Sequence, residues 1–312
     1  MPSKKVGIVG GVGEQHTMHM KSVVEELGAE AVVIDTLHFP EKVSFSLKDE
    51  HPVYNGARLD DIEAFYNRTV FYSEPPYDLQ DKIDAGEMPN MNSWYSTYVA
   101  ERERQSLLGS WMRAIAFQSK RVVNPVECFH LHYLKPHQLT LLRRAGIRVP
   151  ETLVTNNPEE LLAFKKEVSN VVYKPVAGGA SCKHLRDEDL AADRLGLLCT
   201  APVLFQKLYA GADIRVWVLG GKILCAIEIE SDELDYRGNE GELRVIDIPD
   251  QVKQMCLRAA EVCGMVFTGI DVKKSGDEYV LLECNPSPMF IGFQIRSGFP
   301  IDEALGRFLI GE

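Results

Sequence analysis

The chain has 312 residues, 45% of them hydrophobic and 25% charged, with a formal net charge of −11. That length leaves room for a sizeable core in two or three subdomains, and the negative balance excludes a nucleic-acid-coating surface, which needs lysine and arginine to meet phosphates. Seven cysteines, odd in number and without a CxxC pair, do not read as a disulfide framework or a zinc site; with no signal peptide and no apolar run of membrane-spanning length, the expectation is a soluble cytoplasmic protein that engages no membrane.

Val6–Val9 reads as a strand running into Gly10, Gly11 and Gly13, after which Met18, Val23, Val24 and Leu27 set a helical apolar period that stops at Gly28. Ala31–Asp35 follows as a second buried strand. This strand, helix, strand unit predicts a parallel α/β layer. The glycines look like a dinucleotide fingerprint, but His16 stands where the third glycine belongs, so they read as turn formers rather than an NAD site. His16 and His19 lie three apart on one helix face; lacking a third ligand nearby, they read as a solvated face rather than a metal pair.

From Phe39 to Met91 the pattern is irregular, with one strand expected over Ala64–Tyr72. Trp94–Phe117 reads as a helix whose run Glu101, Arg102, Glu103, Arg104 is a solvated face or a docking site. Arg121–Asn124 looks like a strand ended by Pro125 at the opening of a second subdomain. There, Lys135–Leu142 opens a helix that stops at Ala145 and Gly146, and Ile147–Thr152 reads as a strand. Asn157 caps a further helix with Pro158 in its first turn.

Val171–Pro175 reads as a strand with Lys174 near its end, continued by the loop Ala177, Gly178, Gly179, Ala180, Ser181. A lysine beside a glycine loop is a phosphate cradle in outline, and a plain turn is the alternative. Val203–Tyr209 is the next strand; Gly211–Leu219 then turns at Gly220 and Gly221 into Lys222–Ile229. Asp213 and Arg215 share a face, and Arg215, flanked by apolar residues, calls for a partner in a cleft or in a structural salt bridge.

Gly269–Val272 and Tyr279–Pro286 flank the turn Lys274–Asp277, which predicts a hairpin. Side chains alternate along a strand, so Glu283 and Asn285 point the same way and the hairpin sets Asp271 against them. Singly, each acid is an ordinary position on a half-exposed sheet. Together, in apolar runs where a bare carboxylate is costly to bury, they form a hard-oxygen set of the kind that Mg²⁺ takes with phosphates and water.

In their order and spacing, Lys135, Lys174-Pro175 with its glycine loop, Gln206–Tyr209, Asp213-Ile214-Arg215, Gly269-Ile270-Asp271 and Glu283–Pro288 resemble the ATP-grasp ligases. The chain is most similar to the RimK-like branch, which includes protein-glutamate ligases and graspetide-type maturases of ribosomal peptides. The resemblance runs from about Asn124 to the C-terminus. It implies an α/β (α+β) ATP-grasp fold: a pre-grasp domain over residues 1–123, a small central domain over 124–205, and a C-terminal antiparallel-sheet domain over 206–312, with ATP between the last two.

The resemblance further implies that Lys135, Lys174, Gly178 and Gly179 hold the ATP phosphates. Gln206, Lys207, Leu208 and Tyr209 would form the hinge lining the adenine, partly through backbone groups, and Asp213 would take the ribose hydroxyls. Asp271, Glu283 and Asn285 would bind two Mg²⁺ ions, with Mn²⁺ as a substitute. Arg215 and Arg237, the latter within Asp235–Asn239, would be the catalytic residues that stabilise the transferring phosphoryl group and the acyl phosphate. The implied reaction joins a carboxylate to an amine or hydroxyl on an amino acid or peptide, releasing ADP and phosphate. A peptide maturase forming internal esters or amides, and an ATP-binding module without catalysis, are the alternatives. Asn285–Pro288 leans towards the RimK ligases and Ser297–Asp302 towards the maturases. The irregular stretch from Phe39 to Trp94 is open to a leader segment or to homodimer contacts.

Overall fold

The computed structural model describes residues 4–68, 94–118, 120–231, 234 and 241–312. They form two compact units, residues 1–126 with 305–312, and residues 127–304.

The first unit is built on a parallel sheet. Its strands are β1 (Lys5–Gly10), β2 (Glu30–Asp35), a small antiparallel meander β3 (Phe45–Lys48), β4 (His51–Tyr54) and β5 (Ala57–Arg58), then β6 (Ala64–Asn67) and β7 (Arg121–Val123). The parallel sheet runs in the order β2-β1-β6-β7. The expected strand, helix, strand unit is present, with the helix spanning Gln15–Glu26 and Gly28 turning the chain at φ +83°. The strand expected over Ala64–Tyr72 starts where predicted, and its residues from 69 onward lie outside the described ones. Arg121–Val123 pairs with β6 and so completes the first unit instead of opening the second: fully buried Val123 gives this short strand more to gain beside β6 than apart from it.

After the glycine turn that follows β1, Glu14 caps the helix, its Oε2 accepting from the Thr17 N–H at 2.7 Å and the Thr17 hydroxyl at 3.0 Å. His16 is 2% exposed, with Nδ1 3.3 Å from Glu14 Oε1, which corrects the solvated-face expectation: the ring belongs to the capping network. The helix expected from Trp94 is observed over Trp94–Ile115, with Leu108, Trp111, Met112 and Ile115 buried. Arg104 in its charge run turns inward and donates to the Thr36 carbonyl at 3.1 Å. The end of the chain is tied to this unit by Arg121, which donates to Leu309 O at 2.8 Å, and by Lys4, which donates to Ile310 O at 2.6 Å.

The second unit carries two antiparallel sheets. The smaller comprises β8 (Thr152–Thr155), β9 (Val171–Pro175), β10 (Lys183–His184) and β11 (Val203–Lys207), in the order β10-β9-β11-β8. The expected strand over Ile147–Thr152 is shifted: it begins only at Thr152, because Ile147 is spent in the core and the carbonyl of Pro150 accepts from Arg143. The larger sheet comprises β12 (Ala212–Leu219), β13 (Lys222–Ile229), β14 (Leu243–Ile246), β15 (Phe267–Ser275) and β16 (Glu278–Asn285), in the order β14-β13-β12-β15-β16. Gly220 and Gly221, at φ +56° and +73°, make the tight β12–β13 turn.

The helix Asp250–Val262 covers the larger sheet by burying Val252, Cys256, Ala259 and Ala260, one apolar stripe at helical spacing. The same core takes in Val216, Val218, Ile270, Val272 and Cys284, which leaves the opposite sheet face for polar chemistry. Burial pushes the Cys225 and Cys256 thiols up to about 12, as expected of inert core cysteines. Among the described residues no helix is long and apolar enough to cross a membrane.

Candidate active site

The polar face of the larger sheet is organised by register. β12 and β15 set Asp213 opposite Lys273 and Arg215 opposite Asp271, while β15 and β16 set Asp271 opposite Glu283 and Gly269 opposite Asn285. Asp271, Glu283 and Asn285 therefore converge as the hairpin pattern predicts. After Asp271 the pairing slips, from Glu283 to Leu281, so that Leu282 is a bulge residue. Adjacent residues of a regular strand face opposite ways, yet Leu282 and Glu283 both line the cavity beside Lys135, Gln138, Leu139, Lys174, Leu204 and Gln206.

Every charged group in this site has an opposite charge at hand. Lys135 Nζ lies 2.6 Å and Lys174 Nζ 3.4 Å from Glu283 Oε2, and Arg215 NH1 lies 2.8 Å from Asp271 Oδ1. The Asn285 amide donates to Asp271 Oδ2 at 3.1 Å and to Gly269 O at 3.0 Å. Burial pushes the Asp271 carboxyl up; Arg215 pulls it down, and the neighbouring charge of Glu283 pushes it up again. Two carboxylates that repel each other beside a hard amide oxygen suit a bound cation. Among the described residues no three His, Cys, Asp or Glu gather as metal ligands, and two acids with an amide fit an ion that takes its remaining oxygens from phosphates and water, as Mg²⁺ does.

Arg215 is held on several sides. Its guanidinium lies 5.3 Å from the Trp217 ring centroid and 5.4 Å from that of Phe293, within cation–π range of both. It also crosses Gly269, where an added Cβ would lie 2.6 Å from Nε. Phe293 belongs to the helix Ile291–Ser297, just beyond Asn285.

Lys135 opens the helix Lys135–Arg144, and one turn on the same helix presents Gln138. Gln138 is 3% exposed and reads the main chain of Cys284 in both directions, its Nε2 donating to Cys284 O and its Oε1 accepting from Cys284 N, each at 2.9 Å. Gln138 thus locks the helix that carries Lys135 to the strand between Glu283 and Asn285. Sequence reading passed over it, although its spacing of three from Lys135 was a signal. Gly178 and Gly179 sit at φ +89° and +88°, and a Cβ on Gly178 would lie 3.5 Å from Lys135 Cε, which places Gly178 against the Lys135 side chain.

Of the predicted hinge, only Gln206 contributes a side chain to the cavity wall, its Nε2 donating to the Thr152 hydroxyl at 3.1 Å. Lys207 and Tyr209 turn instead to Glu151, at 3.0 and 2.6 Å, and Tyr209 foremost holds that carboxyl at about 2, with Lys207 helping against the cost of burial. Asp213 is 9% exposed and paired with Lys273 at 2.7 Å, a partner that sequence reading did not foresee. Arg237 lies outside the described residues.

The model of the RimK-like ATP-grasp domain matches residues 134–309, more than half of the chain. The chain belongs to this family. It is an ATP-grasp ligase by descent and fold. Over 297 residues it is 25% identical to a probable alpha-L-glutamate ligase of Vibrio parahaemolyticus, an alignment that covers 90% of this chain and 87% of that protein. It is 36% identical to the ATP-grasp ligase PsnB solved with a minimal precursor, Mg and ADP, with a TM-score of 0.86 over 98% of this chain and 96% of that one. It also shares the fold of the macrocyclase MdnC of Microcystis aeruginosa, solved with its precursor peptide MdnA, at 22% identity and a TM-score of 0.80 over 98% of this chain and 99% of that one.

Proposed function

We propose that the ligase activates a carboxylate on a peptide with ATP and Mg²⁺, and closes it onto an amine or hydroxyl of the same peptide, giving ADP, phosphate and an internal amide or ester. The observation that carries the peptide over a free amino acid is the 36% identity, along nearly the whole chain, to PsnB, a ligase solved on its precursor. Ligation of free glutamate to a protein or peptide is the second reading, favoured by the glutamate-ligase relatives at 25% identity.

Lys135 and Lys174, now on the Glu283 carboxylate, are the groups that would take the nucleotide phosphates, with Gly178 and Gly179 bringing backbone N–H groups over them. Glu283, their present partner, would then be free to hold Mg²⁺ with Asp271 and Asn285, and two ions are proposed for this set. When bound, Mg²⁺ supplies neutralising charge to the transferring phosphoryl group. Arg215, fixed by Trp217, Phe293 and Asp271, presents a guanidinium that needs no reorganisation as charge develops, and Arg237 is the proposed second arginine on the acyl phosphate. Gln206 and the main chain of residues 207–209 line the adenine, and Asp213 meets the ribose hydroxyls. The glycine loop excludes water from the acyl phosphate. The proposed division falls near residue 205, between the smaller sheet with its loop and the larger sheet with its acids. The cytoplasm, where ATP is abundant, is the proposed location, and a homodimer is the proposed assembly.

The test is ADP release with ATP and Mg²⁺, alone and with pools of amino acids and peptides, followed by mass spectrometry. Loss of one water within a single peptide supports the proposed reaction. A gain of one glutamate residue supports the second reading instead, and ATP binding without ADP release in any pool argues for a module without catalysis.

A further inference from the structure

We infer that Lys273 is a positioning residue for the nucleotide sugar: it fixes the Asp213 carboxylate and thereby sets the preference for a ribonucleotide. This rests on the reading of the second unit as an ATP site. Lys273 and Asp213 are both 9% exposed, sit opposite each other on β15 and β12, and meet at 2.7 Å between Nζ and Oδ2. They lie on the face that carries Arg215 and Asp271, two residues further along each strand towards the hinge.

The chain leaving the hinge is pressed onto β15 one residue beyond Lys273. Gly211 sits at φ +143°, and any Cβ there would run into the carbonyl of Lys274, so the chain leaving residues 207–209 enters β12 directly against β15. A sugar attached to an adenine at the hinge therefore meets Asp213 first. An ionised carboxylate offers about four acceptor positions, so the bond from Lys273 and bonds from two sugar hydroxyls are compatible. A buried carboxylate is costly to keep charged without a cation, and one that rotates freely discriminates poorly between hydroxyls. Lys273 meets both needs, and does so from the strand that carries Asp271 without touching the Arg215–Asp271 pair.

The test is equilibrium binding of Mg-ADP, Mg-2′-deoxy-ADP and Mg-3′-deoxy-ADP to the full chain and to Lys273→Met, Lys273→Arg and Asp213→Asn/Lys273→Met. The wild type is expected to prefer ADP by about tenfold, the worth of a hydrogen bond to a charged group. Lys273→Met should bring the three affinities together, and Lys273→Arg should retain most of the preference. The double variant, which replaces the ion pair by neutral groups and keeps the fold testable, should match Lys273→Met. If Lys273→Met weakens all three nucleotides equally, or leaves the preference intact, the inference is overturned and Lys273 is structural. If the wild type binds ADP without a sugar preference, the inference fails while the ATP site stands. If the wild type binds none of the three, the ATP reading itself fails.

Discussion

Gly269 and Arg215 occupy the same space: a Cβ on the glycine would sit 2.6 Å from the Nε of the arginine. The guanidinium crosses the strand where the sheet offers no side chain, and from there reaches Asp271, Trp217 and Phe293. Gly269→Ala is expected to displace Arg215, cut ADP release at least tenfold and leave nucleotide binding nearly intact, because the arginine acts on the transferring group. Overpacking at a buried strand should also lower stability by about 1–3 kcal/mol. Parallel unfolding curves and nucleotide titrations check both; an alanine variant with wild-type turnover would show that Arg215 tolerates another path.

Lys135 and Lys174 share one oxygen of Glu283. Lys174→Ala should weaken ATP binding by about 10- to 100-fold, the worth of a charge-assisted contact to phosphate, with the fold intact because Lys135 still pairs with Glu283. Calorimetric titration of ATP reads this directly, and an unchanged affinity removes Lys174 from the phosphate site.

Glu283→Gln removes a metal-ligand charge and the partner of both lysines. Turnover is expected to fall further than ATP affinity, since the lost charge matters most where metal and phosphoryl group meet. Normal turnover in this variant would mean that the metal is held elsewhere. Raising Mg²⁺ should recover part of the loss, whereas a purely structural defect would not respond.

Burial raises the Glu14 carboxyl, but His16, Arg68 and the Thr17 N–H and hydroxyl outweigh it and hold it at about 2, below the ordinary 4.5. A carboxyl depressed in the folded state adds stability in full above about pH 4.5, and that contribution is lost as the pH falls towards 2. For a partly exposed group it is on the order of 1–2 kcal/mol after solvent screening. Glu14→Gln should therefore destabilise the protein at pH 7 and narrow the gap to the wild type by pH 3, as read from urea unfolding at the two pH values. A gap that stays constant would assign the effect to the helix cap alone.

Much of the site was legible because strand patterning is local. Two-residue spacing set Glu283 beside Asn285 and Asp213 beside Arg215, and the turn Lys274–Asp277 predicted which strands would pair. The bulge at Leu282 was not legible, since it arises from the pairing of two strands and leaves no composition of its own. Gln138 and Lys273 were missed for a related reason: the spacing of Gln138 from Lys135 puts it on the same helix face, but what it and Lys273 do follows from the Cys284 main chain and the Asp213 carboxylate placed opposite them. His16 was misread because its partner, Glu14, is brought to it by the cap at the start of the helix, which helical spacing alone does not show.

By itself, the sequence determined the hairpins and which acids share a strand face, because periodicity and turn residues act over a few neighbours; the order of its motifs carried the resemblance to the family. Tertiary structure alone decided which charge meets which. It set Lys135 and Lys174 on one carboxylate, Arg215 across a glycine, Lys273 on Asp213, and the final residues of the chain beside Lys4 and Arg121. These are contacts between groups tens to hundreds of residues apart, and their geometry follows from register and packing, which exist only once the sheets have formed.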